Sequence, residues 1–347
     1  MDVMEMGMDV GMGLMRLGAL GVGLFIVIGT LISAIQSFVL PRAINVWLTR
    51  VVFIVVGYFF QARARKARTY EEQDAIMALF APLTLLIMPV VLLTLILVGY
   101  MFLFWALDPQ PFGMELRLSG SSLLTLGNVA GDSLGHKLLE FSEAMIGLIL
   151  VALLIAYLPT IYGAFSKRET AVTLLEARAG APPSALEFIS RSYRTHQLAA
   201  LGDVWTNWQT WFAEVRESHT SLAPLTFFRS PQHNLSWITA AGTVLDSASL
   251  MLSTVNLPQD PRAAFCIRSG YLALQDIAAF FDLTFDPRPA ATGPINISRD
   301  EFDAVVRELA GPGGGIGGGS GAGWGGVFVG GVGSGTVRFG CRAAPRW

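Results

Sequence analysis

Four apolar stretches, three of them without any charged residue, dominate the hydrophobic pattern of the first half of the chain. A helix rises about 1.5 Å per residue, so about 20 apolar residues cross a hydrocarbon core of about 30 Å. The pattern therefore predicts four transmembrane helices, with Arg50 inside the second and Pro82 and Pro89 near the start of the third. The predicted spans cover residues 17–40, 43–60, 75–107 and 144–165.

Charges beside these stretches predict their orientation. Four basic residues lie in the loop 61–69, and Lys167 and Arg168 follow the fourth span. The positive-inside rule places both sites and both termini on the cytoplasmic side, so that residues 108–137 lie outside. The acidic leader 1–16 differs from the basic start of a signal peptide, which makes the first span an anchor. The compact four-span chain predicts a bacterial inner (plasma) membrane.

The segment between the third and fourth spans has an unusual composition for a solvated loop. An uncharged run, 118–126, contains three leucines among serines and threonine near its end, and the glycine segment 127–132 follows. A short helix that dips back into the membrane, followed by extended backbone, explains this order. Such backbone is tolerated at membrane depth where it is buried in protein or lines a water-filled path. We therefore expect a re-entrant pore loop; the alternative is an ordinary extracellular loop.

This segment also resembles a known family. Residues 125–127 and 131–132 resemble the pore signature T-x-G-[YF]-G-D of potassium channels of the two-helix, pore-loop type. Residues 135–138 and Gly147 resemble the start and the mid-helix glycine of that family's inner helix. The resemblance covers about residues 79–169. One aromatic residue separates the two glycines of the family signature, whereas this chain has Asn128, Val129 and Ala130.

The resemblance implies a homotetramer, because one loop cannot surround a pore. It implies a permeant monovalent cation, K⁺ by family, with Asp132 at the outer mouth and with the lipid bilayer as surroundings. Gly147 and Pro159 are candidate gating hinges; close helix packing is the alternative for Gly147. The implied filter consists of Thr125, Leu126, Gly127, Asn128, Val129, Ala130 and Gly131.

Composition and the remaining polar residues argue against other functions. Only 14% of the 347 residues are charged and the net charge is -2, so we expect neither an ordinary soluble enzyme nor a nucleic-acid partner. Two cysteines and four dispersed histidines predict no metal site and no cofactor. Glu140 and Glu143 lie three residues apart near His136, but no third group is identified to orient an acid–base pair. The single Arg50 does not predict a voltage sensor.

The second half of the chain has mixed polar and apolar positions with helical spacing, as at Leu186 and Ile189. Trp205, Trp208 and Trp211 repeat every three residues; packing explains this more simply than a ligand platform.

The sequence thus predicts an all-α membrane protein with four transmembrane helices, a re-entrant pore loop between the third and fourth, and an all-helical cytoplasmic domain. The predicted parts are an N-terminal hairpin with its basic loop (1–76), a pore unit (77–168), the helical domain (169–310) and a glycine-rich disordered tail (311–347). The expected function is a potassium-channel-like cation channel and not an enzyme. The alternative is a non-conducting membrane receptor or scaffold that presents the helical domain.

Overall fold

The computed structural model describes residues 3–38, 40, 47–232, 234–254, 260–283, 304 and 307. These residues form helices and turns, with no strand among them, so the predicted all-helical class is confirmed for this part of the chain. Short 3₁₀ turns occur at Leu198–Ala200 and Ala223–Phe227. The helices are α1 (Val3–Phe38), α2 (Trp47–Ala64), α3 (Tyr70–Ala78), α4 (Phe80–Leu107), α5 (Phe112–Leu123), α6 (Leu134–Ala179), α7 (Ala185–Arg194), α8 (Gly202–Ser221), α9 (Trp237–Thr254) and α10 (Pro261–Phe280).

Three helical stretches in the described part are long and apolar enough to cross a membrane, as expected of a membrane protein. They correspond to the first, third and fourth predicted spans. The second predicted span forms α2, which has 18 residues and carries Arg50. Its crossing of the membrane stays a prediction. The three stretches are Gly11–Phe38, Glu71–Leu107 and Leu134–Ala179.

The described residues fall into two compact units, and the first draws on Met1–Arg63 and Leu79–Tyr162. In this unit α1 packs along α4, and the two helices touch at a pair of glycines. A Cβ built on Gly23 would lie 2.8 Å from the carbonyl oxygen of Gly99. One built on Gly99 would lie 2.7 Å from a methyl group of Val27. Small residues of this kind permit close helix packing in membranes.

The second unit draws on Ala64–Ala78 and Gly163–Trp347. Its core joins the last part of α6 to α7, α8, α9 and α10. Trp205, Trp208 and Trp211 are all buried in this core, so the packing role favoured by their spacing is confirmed. The predicted tail (311–347) lies outside the described residues.

A buried arginine ties the last part of α6 to the 3₁₀ turn that follows α8. Arg168 is 2% exposed, and its guanidinium donates to the backbone carbonyls of Leu225 (3.2 Å) and Phe228 (2.8 Å). It also pairs with the carboxylate of Glu169 at 2.8 Å. Its charge lies over the ring of Trp237, 5.5 Å from the centroid. These contacts compensate a charge that burial would otherwise make very costly.

His219 completes this cluster as a neutral imidazole. Its Nδ1–H donates to the carbonyl of Val215 (2.9 Å), because a carbonyl oxygen can only accept. Its Nε2 accepts from Arg168 (3.2 Å), because a guanidinium can only donate. Burial, and then the neighbouring charge of Arg168, lower the pKa of His219 to about 3. In the folded unit the imidazole therefore stays uncharged down to a pH of about 3. In the unfolded chain it binds a proton near its ordinary pKa of 6.5.

Acidification is expected to destabilise the second unit through His219. Between the unfolded pKa of 6.5 and the folded pKa of about 3, only the unfolded state binds the proton, so stability falls as the pH falls. At pH 4 the stability lost through this residue is about 3 kcal/mol. Urea unfolding of the detergent-solubilised protein at pH 7 and pH 4, followed by tryptophan fluorescence, measures this loss.

The variant His219→Gln isolates the effect from the titration of other groups, since glutamine offers a donor and an acceptor without titrating in this range. The variant should lose about 3 kcal/mol less than wild type between the two pH values. His196 is exposed, so His196→Asn should match wild type. Equal losses in wild type and His219→Gln would contradict the assignment.

Candidate functional site

Helix α5 begins behind a turn rich in proline that redirects the chain after α4. Pro111 takes the N-cap position of α5, and its carbonyl accepts from the N–H of Met114 at 2.7 Å. Glu115 in the first turn accepts from the backbone N–H of Gln110 at 3.1 Å. The side chain of Gln110 in turn donates to Asp108 at 2.9 Å. An acidic side chain at this position also complements the positive end of the helix dipole.

The polar face of α5 packs between α4 and α6. The hydroxyl of Ser119 lies 3.0 Å from the carbonyl oxygen of Leu97 in α4 and 2.5 Å from Oε1 of Glu143 in α6. Leu97 precedes the end of α4 by ten residues, so α5 runs back along α4 for about 15 Å. Glu143 is fully buried, and its Oε2 has no hydrogen-bond partner in the described chain. Buried ionisable groups in apolar helices are candidates for functional sites.

The C-terminal end of α5 meets α6 at Gly147. A Cβ built on Gly147 would lie 2.8 Å from the carbonyl oxygen of Leu123, the last residue of α5. Gly147 follows the start of α6 by 13 residues, which is about 20 Å along the helix. The close packing that was the alternative for Gly147 is therefore present. Its role as a hinge stays a prediction.

One serine hydroxyl holds the loop that follows α5. The Oγ of Ser121 accepts from the backbone N–H groups of Asn128 (3.1 Å) and Val129 (3.2 Å). The same hydroxyl lies 3.1 Å from the carbonyl oxygen of Val129, to which it donates. The N–H of Leu126 donates to the backbone carbonyl of Ser121 at 2.8 Å. The end of α5 thus fixes the path of the chain as far as Val129.

A carboxylate of α6 holds the far end of the loop. Oε1 of Glu140 accepts from the backbone N–H of Gly131 at 2.5 Å. Gly131 packs so closely on His136 that a Cβ at this position would overlap the histidine side chain. His136 itself is held by Ser133, whose hydroxyl lies 2.7 Å from its Nδ1, and stacks on Phe104 of α4.

Between these two anchors several backbone carbonyl groups of the loop lack a hydrogen-bond donor in the described chain. Thr125 and Gly127 have positive φ values of 53° and 67°, which turn successive peptide groups away from a regular strand. The carbonyl oxygens of residues 125–128 accept no hydrogen bond from the described chain. Residues 124–128 are exposed, including the side chains of Leu124 (58%) and Leu126 (62%). The loop therefore offers a row of free acceptors beside an exposed apolar surface.

The residues that the resemblance assigns to a filter and its mouth lie together on this loop. Asp132 follows Gly131 and is exposed, at the start of the turn into α6. Pro159 lies inside α6 on an exposed side. Their roles in conduction and gating stay predictions.

Three residues of the site were not assigned a role by sequence reasoning: Ser119, Ser121 and, as a partner of α5, Glu143. Their partners lie at sequence separations of up to 24 residues, which no local pattern encodes. One signal was available, because Glu140 and Glu143 share a helix face at i, i+3 spacing. In the structure Glu143 contacts Ser119 of α5, and Glu140 contacts Gly131 of the loop that follows α5.

Comparison of the chain with protein-family models, with curated proteins and with solved structures finds no match in any of the three.

Proposed function

We propose that four copies of this chain form a cation channel in which residues 125–131 line the ion path. The observation that carries this proposal is a difference between the backbone N–H groups of the loop, several of which are hydrogen-bonded, and its backbone carbonyl groups, several of which are not. Ser121 and Glu140 hold its N–H groups, while the carbonyl oxygens of residues 125–128 accept no hydrogen bond in the described chain. Backbone carbonyls that replace the hydration shell of an ion are the basis of cation filters.

The depth of the loop supports a re-entrant arrangement. Helix α5 runs about 15 Å back along α4, and its end meets α6 about 20 Å from the start of that helix. The exposed backbone of residues 124–128 therefore begins partway along two helices that are long and apolar enough to cross a membrane. Such backbone would be unstable in lipid, whereas it is tolerated where it lines a water-filled path.

The exposed side of α6 supports assembly of several copies. Large apolar residues recur there at spacings of four, three, seven and seven residues, which fit the heptad spacing of a helix–helix seam. A second copy or lipid must cover so large an apolar stripe. A pore made of single loops requires a ring of copies, and the family resemblance implies four. The stripe consists of Phe141 (67% exposed), Met145 (61%), Leu148 (62%), Ile155 (66%) and Tyr162 (47%).

The preferred ion of the proposed channel is K⁺. This preference rests on the resemblance at residues 125–127 and 131–132 alone. Residues 128–130 do not contribute to it, because they replace the single aromatic residue of the family signature. In the proposed channel Asp132 forms an acidic ring at the outer mouth, which concentrates cations. The cytoplasmic position of both termini, which needs α2 as a fourth span, belongs to the same proposal.

Cation flux through the purified full-length protein in liposomes tests the proposal, together with its oligomeric mass in detergent. We expect a tetramer that passes K⁺ and Rb⁺ faster than Na⁺. Equal flux of the three ions would support the pore and remove the K⁺ preference. A monomer or dimer with no flux would overturn the channel and favour a receptor or scaffold.

A further inference from the structure

The second unit contains a cavity of about 630 Å³ that opens to its surface. Its walls come from the last turns of α6, from α7 and the turn after it, and from the first half of α8. A cavity of this size suits a small organic molecule, for which typical sites measure about 300–1,000 Å³.

Positive charge surrounds this cavity. Arg178, Arg191 and Arg194 are among its lining residues, and no acidic residue is. Glu187 lies outside the lining and pairs with two of them, with Arg191 at 2.5 Å and with Arg194 at 3.3 Å. Arg178 makes no hydrogen bond or ion pair within the described chain and is exposed. Three cations and one anion leave an excess of positive charge facing the cavity.

The negative end of the α6 dipole also lies near this cavity and would disfavour an anion. Arg191 offsets it, because its Nη1 donates to the carbonyl of Ala177 in the last turn of α6 at 2.9 Å. A guanidinium carries five N–H donors, so Arg191 keeps donors for a ligand after this bond and its pairing with Glu187.

Two tryptophans are also among the lining residues of the cavity. Trp208 and Trp211 line the cavity and pack edge to face, with ring centroids 4.6 Å apart. The indole N–H of Trp211 is used, since it donates to the backbone carbonyl of Arg168 at 3.2 Å. The indole N–H of Trp208 makes no hydrogen bond with the described residues, and Asn207 beside it offers a side-chain amide. Because Trp208 and Trp211 are only 6% and 4% exposed, each gives the cavity a small part of its surface, and the exposed Leu174 adds to this apolar lining.

We infer that this cavity binds a small aromatic phosphate, an anion of the size and chemistry of a nucleoside monophosphate. Arginine forks bind phosphate oxygens in pairs, and a planar ring packs favourably on indole. Arg178 contacts the phosphate in the bound state, and Trp208 contacts the ring. The inference uses residues of the second unit alone and holds whether or not the protein conducts ions.

Isothermal titration of the full-length protein in detergent tests this inference with four probes: AMP, 1-naphthyl phosphate, adenosine and inorganic phosphate. We expect one site per chain for at least one of the two aromatic phosphates, with adenosine and inorganic phosphate each at least about tenfold weaker. Failure of both aromatic phosphates to bind would overturn the inference. So would equal affinity for inorganic phosphate, because the two tryptophans would then contribute nothing.

Arg178→Gln should weaken binding of the aromatic phosphate by about tenfold. Arg178 is exposed and without a partner in the described chain, so this variant should fold as wild type. Arg268→Gln is the matched control, since Arg268 is an exposed arginine on α10 that does not line the cavity. Unchanged affinity in Arg178→Gln, or equal weakening in Arg268→Gln, would contradict the site.

Discussion

Valine at both Gly127 and Gly131 is expected to abolish cation flux, reducing it to that of protein-free liposomes. Gly127 has a φ of 67°, which costs a β-branched residue about 1–2 kcal/mol. At Gly131 any side chain overlaps His136 and pushes the backbone away from Glu140. The backbone then moves both within the row of free carbonyls and at the end of the 125–131 segment, so the proposed ion path is lost. The measurement is K⁺ flux in liposomes at matched protein density.

The control is the double variant Gly113→Val, Gly120→Val, which adds the same number of methyl groups to α5. A Cβ at either position meets no atom within 4 Å, so we expect this variant to conduct. The oligomeric mass of both variants in detergent separates loss of conduction from loss of assembly. Wild-type flux through the Gly127, Gly131 variant would show that ions do not pass along this loop.

Arg168→Met should lower the free energy of unfolding of the second unit by about 3–5 kcal/mol. The substitution leaves Glu169, which is 8% exposed, without its ion-pair partner. It also removes the donors to the carbonyls of Leu225 and Phe228, which lose these bonds inside the core. Urea unfolding followed by tryptophan fluorescence measures this change, because Trp205, Trp208 and Trp211 lie in the same core.

Lys167→Met provides the matched control one residue away. The side chain of Lys167 is 73% exposed and lies 3.8 Å from Glu214, so its loss should change stability by less than about 1 kcal/mol. Similar losses for the two variants would mean that the contacts of Arg168 contribute little beyond those of a surface ion pair.

The long helices of the first unit were predictable because uncharged runs of 20 residues or more have few alternatives to a membrane helix. Their ends were less predictable. The fourth span was expected to end at Phe165, whereas α6 continues to Ala179, since residues 166–179 contain no proline or glycine to stop a helix. Arg168 looked like a flanking basic residue, and only tertiary packing shows that it is buried.

The candidate site, like the helices, could be predicted only in part from the sequence. The glycines at 127 and 131 identified the loop, because a positive φ and a close contact both favour glycine. The bonds from Ser119 and Ser121 could not be predicted, since a serine on a short helix has many potential acceptors within reach of its hydroxyl. Their partners become definite only when α5 is placed against α4 and α6.

Because the loop is anchored through main-chain groups, some of its positions can be substituted without a change in the path of the backbone. Ser121 and Glu140 bind peptide N–H groups, which any residue except proline supplies. The side chains of residues 128–130 make no hydrogen bond in the described chain, so most substitutions there preserve the loop's path. Among homologous sequences, variation within the loop should therefore be concentrated at residues 128–130. These are the positions at which this chain differs from the potassium-channel signature.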